Sequence, residues 1–147
     1  MVKPQKYRPF VWVAITLTLA GPGLLYAREI LDVRIKSTGL NDESLNDEHE
    51  ERACKKFKPT KSQVLRFFKR AKPPEDKSKL LHERYSSCAA EGTIRYTDGS
   101  SGQWVLFSSG MAYVTFGDGV VIDLFYRKNG WHDPYACTYG LGDEPEC

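Results

Sequence analysis

The segment from residue 88 to 128 constrains the fold most, because short β-like stretches alternate there with glycine-containing turns. In residues 90–96 apolar and polar side chains alternate, and a period of two is typical of a half-buried strand. Similar stretches follow at 103–107, 111–116 and 120–127. Short turns that contain glycine join antiparallel neighbours, so the segment predicts a β-meander.

A further strand is predicted before this meander. Leu31, Val33 and Ile35 alternate with charged residues within residues 28–40, which again favours a half-buried strand. The acidic residues that follow, within 41–52, are expected to form a solvated loop or a short exposed helix.

Residues 54–87 are rich in Lys and Arg and contain the clearest helical pattern of the chain. Pro59 and Thr60 precede it, and Gln63 stands three residues after Thr60, as in a capping box. Pro73 ends it. The apolar residues recur at helical spacing on one side: Val64, Leu65, Phe67, Phe68 and Ala71.

A second, weaker helical turn is predicted at residues 79–85, with Leu80, Leu81 and Tyr85 facing the core. Together these patterns predict an α+β fold, in which one main amphipathic helix packs on one face of a four- to five-stranded antiparallel meander.

The first 27 residues have the composition of a secretory signal peptide. Three basic residues and no acid precede an apolar run at 10–20, and the segment ends on the small residue Ala27. The run is shorter than the roughly 20 apolar residues of a membrane-spanning helix. We therefore expect cleavage near Ala27 and a periplasmic or secreted protein, with an uncleaved anchor as the alternative.

Residues 28–147 are expected to form a single α+β domain. Its parts are a strand with an acidic loop (28–53), the basic helical region (54–87), the meander (88–128) and a tail (129–147). Without the leader this domain carries 18 Lys and Arg against 19 Asp and Glu. A near-neutral exported domain is not expected to bind nucleic acid.

All four cysteines lie beyond the leader, and an even number in a small exported chain predicts two disulfides. Three pairings are possible. We favour Cys54–Cys88 with Cys137–Cys147, because each pair closes one local unit. No two cysteines have zinc-site spacing and the three histidines are scattered, so neither a metal nor another cofactor is expected.

The sequence contains no recognisable catalytic motif. Nucleophile-elbow, phosphate-loop and His-Glu-x-x-His patterns are all missing, so no catalytic residue is assigned and the protein is not expected to be an enzyme. The alternative is a hydrolase of cell-envelope material that uses His132 and Asp133, although a catalytic pair must face each other in space.

The predicted sheet carries large apolar residues on both faces, whereas one helix covers only one face. Either Trp104 with Leu106, or Val105 with Phe107, must lie opposite the helix. An exposed aromatic face is typical of an interaction site, and coverage by the tail is the alternative. The predicted binding residues on the sheet are Trp104, Tyr113 and Phe125.

The basic side of the helix is a second candidate surface. Lys69 and Arg70, with Lys61 and Lys72, could meet an anionic membrane surface. A solvated helix face, or pairing with the acidic residues 42–51, would also account for this charge.

Three stretches of the sequence carry a resemblance. These are Cys54-x-x-Phe57-x-Pro59-Thr60-x-x-Gln63-Val64, then Cys88-x-Ala90-x-Gly92-Thr93, then Asp98-Gly99-x-x-Gly102-x-Trp104. The pattern resembles that of small exported disulfide-containing proteins of Gram-negative bacteria, over about half of the chain. That group has no established activity, so the resemblance implies no site residue.

In general form the chain is also similar to periplasmic immunity proteins and lysozyme inhibitors, which are small, disulfide-stapled and non-catalytic. We therefore expect a periplasmic module that binds another protein, such as a toxin or an envelope enzyme.

Overall fold

A computed structural model of the chain describes residues 28–41 and 47–139. The predicted leader, residues 1–27, and Cys147 lie outside the described residues. The described residues form five strands, three α-helices and a short 3-10 helix at Ala136–Thr138.

The strands form one antiparallel sheet in which every strand pairs with its neighbours in chain order. The bounds are β1 (Ile30–Leu40), β2 (Ala89–Tyr96), β3 (Ser101–Phe107), β4 (Met111–Phe116) and β5 (Val121–Phe125). The predicted antiparallel meander is thus confirmed. Gly99, Gly110 and Gly119 each have a φ of 86° in the turns between these strands, a conformation that glycine adopts without steric cost.

The helices lie between β1 and β2: α1 (Glu48–Cys54), α2 (Lys61–Arg70) and α3 (Lys77–Glu83). The capping box of α2 is confirmed, because Thr60 Oγ1 accepts from the Gln63 N–H at 3.3 Å and Gln63 Oε1 accepts from the Thr60 N–H at 2.8 Å. Part of the acidic stretch, residues 48–52, lies in α1, and the Asp47 side chain caps the N-terminus of this helix.

Helix α2 packs on one side of the sheet, which we call the inner face. Its buried residues are Val64, Phe67 and Phe68. They belong to a cluster that contains the buried sheet residues Val33, Ile94, Trp104, Leu106, Val114 and Leu124. Phe67 and Phe68 meet edge to face at 5.1 Å between ring centroids, an arrangement favoured by the aromatic quadrupole. The opposite side is called the outer face.

The pair Cys54–Cys88 is a disulfide that joins the end of α1 to the start of β2, with both residues fully buried. This part of the cysteine prediction is confirmed. Cys137 is not a free thiol. Because Cys147 lies outside the described residues, the pair Cys137–Cys147 stays a prediction, and one disulfide is shown instead of the two expected.

Three apolar residues predicted to face the core are exposed instead. A bulge between Ile30 and Asp32 interrupts the alternation of β1, and Leu31 is 60 % exposed. Helix α3 begins before the predicted turn and contributes no buried residue, so Leu81 and Tyr85 remain largely in solvent.

Candidate binding surface on the outer face of the sheet

The register of the meander places two rows of side chains across the outer face. One row contains Glu91, Val105, Tyr113 and Asp123, and the other contains Thr93, Gln103, Thr115 and Val121. Partners directly opposite on antiparallel strands project to the same side of a sheet. Each row therefore presents a continuous strip that runs across four strands.

A cavity of about 500 Å³ lies along these rows and is lined by the outer-face residues Lys36, Glu91, Thr93, Gln103, Val105, Tyr113 and Thr115. A second cavity of about 500 Å³ adjoins it, because both are lined by Thr93, Gln103 and Thr115, and Arg95 also lines this second cavity. We call the surface formed by the seven outer-face residues of the first cavity the outer groove.

The outer groove contains one aromatic residue, several polar residues and one ion pair. Tyr113 is half-buried and its ring centroid lies 6.2 Å from that of Phe107. At the β1 side, Lys36 Nζ lies 3.1 Å from Glu91 Oε1. The groove thus offers apolar area and hydrogen-bonding groups without a net charge.

Of the three predicted sheet residues, Tyr113 lines the outer groove, whereas Phe125 does not line it. Phe125 is on the outer face but half-buried, and the Arg84 guanidinium lies 5.6 Å from its ring centroid. The sequence analysis did not single out Val105, Gln103 or Thr115 as binding residues. Only the strand register, which brings three strands together, would have indicated them.

The prediction that Trp104 lies on an exposed sheet face is wrong. Trp104 is 1 % exposed on the inner face, where its ring centroid lies 5.7 Å from that of Phe68. The physical reason is its pairing with Gly92, which leaves room on the inner face for the indole. Of the two arrangements left open, Val105 and Phe107 are the residues opposite the helix.

The described part of the tail does not lie in the outer groove. Trp131 packs on the inner side, with its ring centroid 5.8 Å from that of Phe57 and 5.9 Å from that of Phe67. Trp131 Nε1 also donates to the Ser108 carbonyl at 2.8 Å. No described tail residue lines the outer groove.

Several basic groups of α2 are engaged within the molecule. Lys61 Nζ donates to Asp32 at 2.8 Å, Arg66 to the Asn129 carbonyl at 2.6 Å, and Arg70 to the Tyr126 hydroxyl at 3.2 Å. Lys69 is exposed. Helix α2 is therefore bonded to Asp32 of β1 and to the segment after β5. No bond from α2 to the described acidic residues of 42–51 is seen.

The Asp32 carboxylate, on the edge strand β1, lies close to three basic side chains. Besides Lys61, its carboxylate contacts Arg34 at 3.1 Å and Arg95 at 3.6 Å. The hydrogen bond from Lys61, followed by that from Arg34, lowers the pKa of Asp32 to about 2. The carboxylate stays ionised at neutral pH and ties α2 to β1.

Asp133 accepts hydrogen bonds from three groups other than His132. Asp133 Oδ1 accepts from Ser108 Oγ at 2.7 Å, from the Tyr135 N–H at 3.0 Å and from the Tyr139 hydroxyl at 3.2 Å. Burial, and then Asp133, raise the pKa of Tyr139 well above its ordinary range. His132 is exposed. Asp133 fastens the tail to the turn between β3 and β4.

Within residues 28–41 and 47–139, no group of three or more His, Cys, Asp or Glu residues could hold a metal ion. None of the described helices is long and apolar enough to cross a membrane. Comparison with protein families, curated proteins and solved structures finds no match to this chain.

Proposed function

We propose that this chain is a non-catalytic, exported protein-binding module that docks a protein partner on the outer groove, as immunity and inhibitor proteins do. One observation carries the proposal. Helix α2 covers the inner face, while the outer face presents half-buried Val105, Phe107 and Tyr113 beside an open groove. A buried disulfide is compatible with an exported protein, since such bonds persist in oxidising compartments.

The composition of the outer groove supports a protein as the occupant. Tyr113 and Phe107 offer rigid aromatic area, and Gln103 with the two threonines offers donors and acceptors. Aromatic anchors with a polar surround are typical of protein–protein interfaces. Within the groove Lys36 is paired with Glu91, and Arg95 in the adjoining cavity is paired with Asp32, an arrangement that does not favour a polyanion.

The two alternatives have less support. The bonds from Lys61, Arg66 and Arg70 to groups of this chain reduce the charge that α2 can offer to an anionic membrane. The three bonds to Asp133 Oδ1 give that residue a structural role, which does not favour a hydrolase that uses His132.

The experiment compares what the oxidised protein captures from envelope and culture-fluid extracts with what two variants capture. Gln103→Arg places bulk and charge on the floor of the outer groove, whereas Lys69→Glu reverses a charge on α2. We expect one stoichiometric protein that Lys69→Glu retains and Gln103→Arg loses. Loss with Lys69→Glu alone would move the interface to α2.

A second copy of the chain is the other occupant that the same surface could accept. Native mass spectrometry of the purified protein separates the two cases. A monomer supports a different protein as partner, whereas a dimer that Gln103→Arg dissociates would contradict this proposal.

A further inference from the structure

The sheet has two edge strands, β1 and β5, and they differ in how they are protected against pairing with a further strand. Bulges and charged side chains commonly protect such edges. The register of β1 is interrupted at three places, and this strand carries Asp32, Arg34 and Lys36. The register of β5 is regular throughout, and its one charged residue, Asp123, is paired with Lys77 at 2.7 Å. The less protected edge is therefore β5.

Alternate residues of β5 direct their backbone N–H and carbonyl groups away from β4. Two hydrogen bonds of 2.9 Å flank the paired residues: the Phe116 N–H donates to the Val120 carbonyl, and the Tyr126 N–H donates to the Gly110 carbonyl. Because hydrogen-bonded residues alternate along an antiparallel pair, the even-numbered residues of β5 bond β4. The residues whose backbone groups face the open edge are Val121, Asp123 and Phe125.

The bonds of Phe125 show that this edge accepts an extended segment. Its N–H donates to the Lys72 carbonyl at 2.7 Å, and its carbonyl accepts from the Lys72 N–H at 3.1 Å, in an antiparallel bridge. Pro73 and Pro74 follow, and proline has no N–H with which to continue the pairing. The chain therefore adds a single residue to the outer side of β5.

The backbone of Val121 and Asp123 remains open on this side. No described residue bonds the outward N–H or carbonyl of either one. Val121 is 53 % exposed, and the adjacent Val120 is 45 % exposed. Alternating donors and acceptors along a strand match the backbone of another extended chain, and the two valines offer such a chain apolar area to cover.

We infer that β5 binds an extended segment of another protein, which adds to the sheet beside Val121 and Asp123. Backbone hydrogen bonds hold the segment, and its alternate side chains lie on the outer face. Val121 belongs to the same row as Gln103 and Thr115, so the added strand widens this face. The site is distinct from the outer groove, which Val121 does not line, and it does not depend on a partner in that groove.

The test is an NMR titration of the oxidised protein with an acetylated and amidated peptide of five alternating threonine and valine residues. The matched probe is the same peptide with every backbone nitrogen methylated, which keeps the side chains and carbonyls but cannot donate. We expect the first peptide to slow hydrogen exchange at the Val121 and Asp123 amides, and the methylated peptide to leave it unchanged. The Phe125 amide, already bonded to Lys72, is the internal control and should not respond.

Two variants at position 121 separate the backbone from the side chain. Val121→Pro removes the outward N–H but no bond to β4, and proline is tolerated on an edge strand where the N–H faces solvent. Val121→Thr alters the side chain and keeps the N–H. We expect Val121→Pro to weaken binding of the peptide about fivefold, as for one hydrogen bond, and Val121→Thr to weaken it much less.

Equal binding of the two peptides, or unchanged exchange at Val121 and Asp123 with millimolar peptide, overturns the inference. Protection of these amides that grows with protein concentration in the absence of peptide would make a second copy of the chain the occupant, and it would also overturn the inference. The comparison of the two peptides uses the natural protein, so it decides the question even where Val121→Pro fails to fold.

Discussion

The indole of Trp104 lies over Gly92 on the neighbouring strand, so that a Cβ at position 92 would be 2.5 Å from Trp104 Cζ2. The two residues are directly paired between β2 and β3. This pairing holds the tryptophan on the inner face, where it is 1 % exposed, and directs Val105 to the outer groove. The Gly92–Trp104 contact thus separates the aromatic core from the proposed binding surface.

Replacing Gly92 should destabilise the protein through two contacts. A Cβ at position 92 would lie even closer to the Arg34 carbonyl oxygen of β1 than to the Trp104 indole. Gly92→Ala therefore forces β1 or the indole to move, and such overpacking costs about 1–3 kcal/mol. Gly117→Ala is the matched control, because a Cβ there meets nothing within 4 Å. Urea unfolding measures both free energies of unfolding. An equal effect at the two positions would contradict the close packing of β1 and Trp104 around Gly92.

Removal of the disulfide between Cys54 and Cys88 should lower stability more strongly. The bond spans a sequence separation of 34, and closing a loop of that length stabilises a protein by about 3–4 kcal/mol in the chain-entropy account. The double variant Cys54→Ala/Cys88→Ala removes the bond together with two buried sulfur atoms, so cavity formation adds to the loss. Denaturant unfolding measures the loss, and an unchanged free energy of unfolding would contradict the stabilising role of this bond.

The contribution of Asp32 should depend on pH. Its pKa is lowered from 3.8 to about 2 by Lys61 and Arg34, so its stabilising effect is fully present above pH 3.8 and is lost as the pH falls through about 2. The difference in Tm between the natural protein and Asp32→Asn should therefore be constant near neutrality and shrink below pH 4. A difference that grew in acid would show that another group is responsible.

Asp133 should matter for the order of the tail, and His132 should not. Asp133→Ala removes the acceptor shared by Ser108, Tyr135 and Tyr139, for an expected loss of about 2–3 kcal/mol. His132→Ala alters an exposed neighbour and should change stability by less than about 0.5 kcal/mol. Amide hydrogen exchange should show faster exchange in residues 131–139 for the first variant only. Faster exchange in both would argue against this role of Asp133.

Local sequence patterns were sufficient for the strands and the capping box, because each depends on neighbours in sequence. The Cys54–Cys88 pairing spans a sequence separation of 34, and it was favoured among three pairings because it closes one unit of the chain. The face of Trp104 was not predictable in this way. Alternation shows that Trp104 and Leu106 share a face, but pairing with Gly92 decides which face. The position of Leu31 likewise depends on a bulge set by pairing with β2, and α3 is too short for its period to indicate a buried side.

The outer groove was harder to predict for the same reason. It joins residues as far apart in sequence as Lys36 and Thr115. No local motif marks this combination. Tyr113 was recognisable only as a large aromatic residue on a strand, and its groove neighbours Gln103 and Thr115 have the appearance of ordinary solvent-facing strand residues.

The most direct test of the proposed function is the affinity of the captured partner for Tyr113→Ala and Tyr85→Ala, measured side by side with the natural protein. Tyr113 lies in the outer groove, whereas Tyr85 is 56 % exposed and lies outside it. We predict that Tyr113→Ala weakens binding by about 2 kcal/mol, roughly thirtyfold, as for an aromatic anchor, while Tyr85→Ala leaves it unchanged. An unchanged affinity for a correctly folded Tyr113→Ala would contradict the assignment of the outer groove as the binding surface.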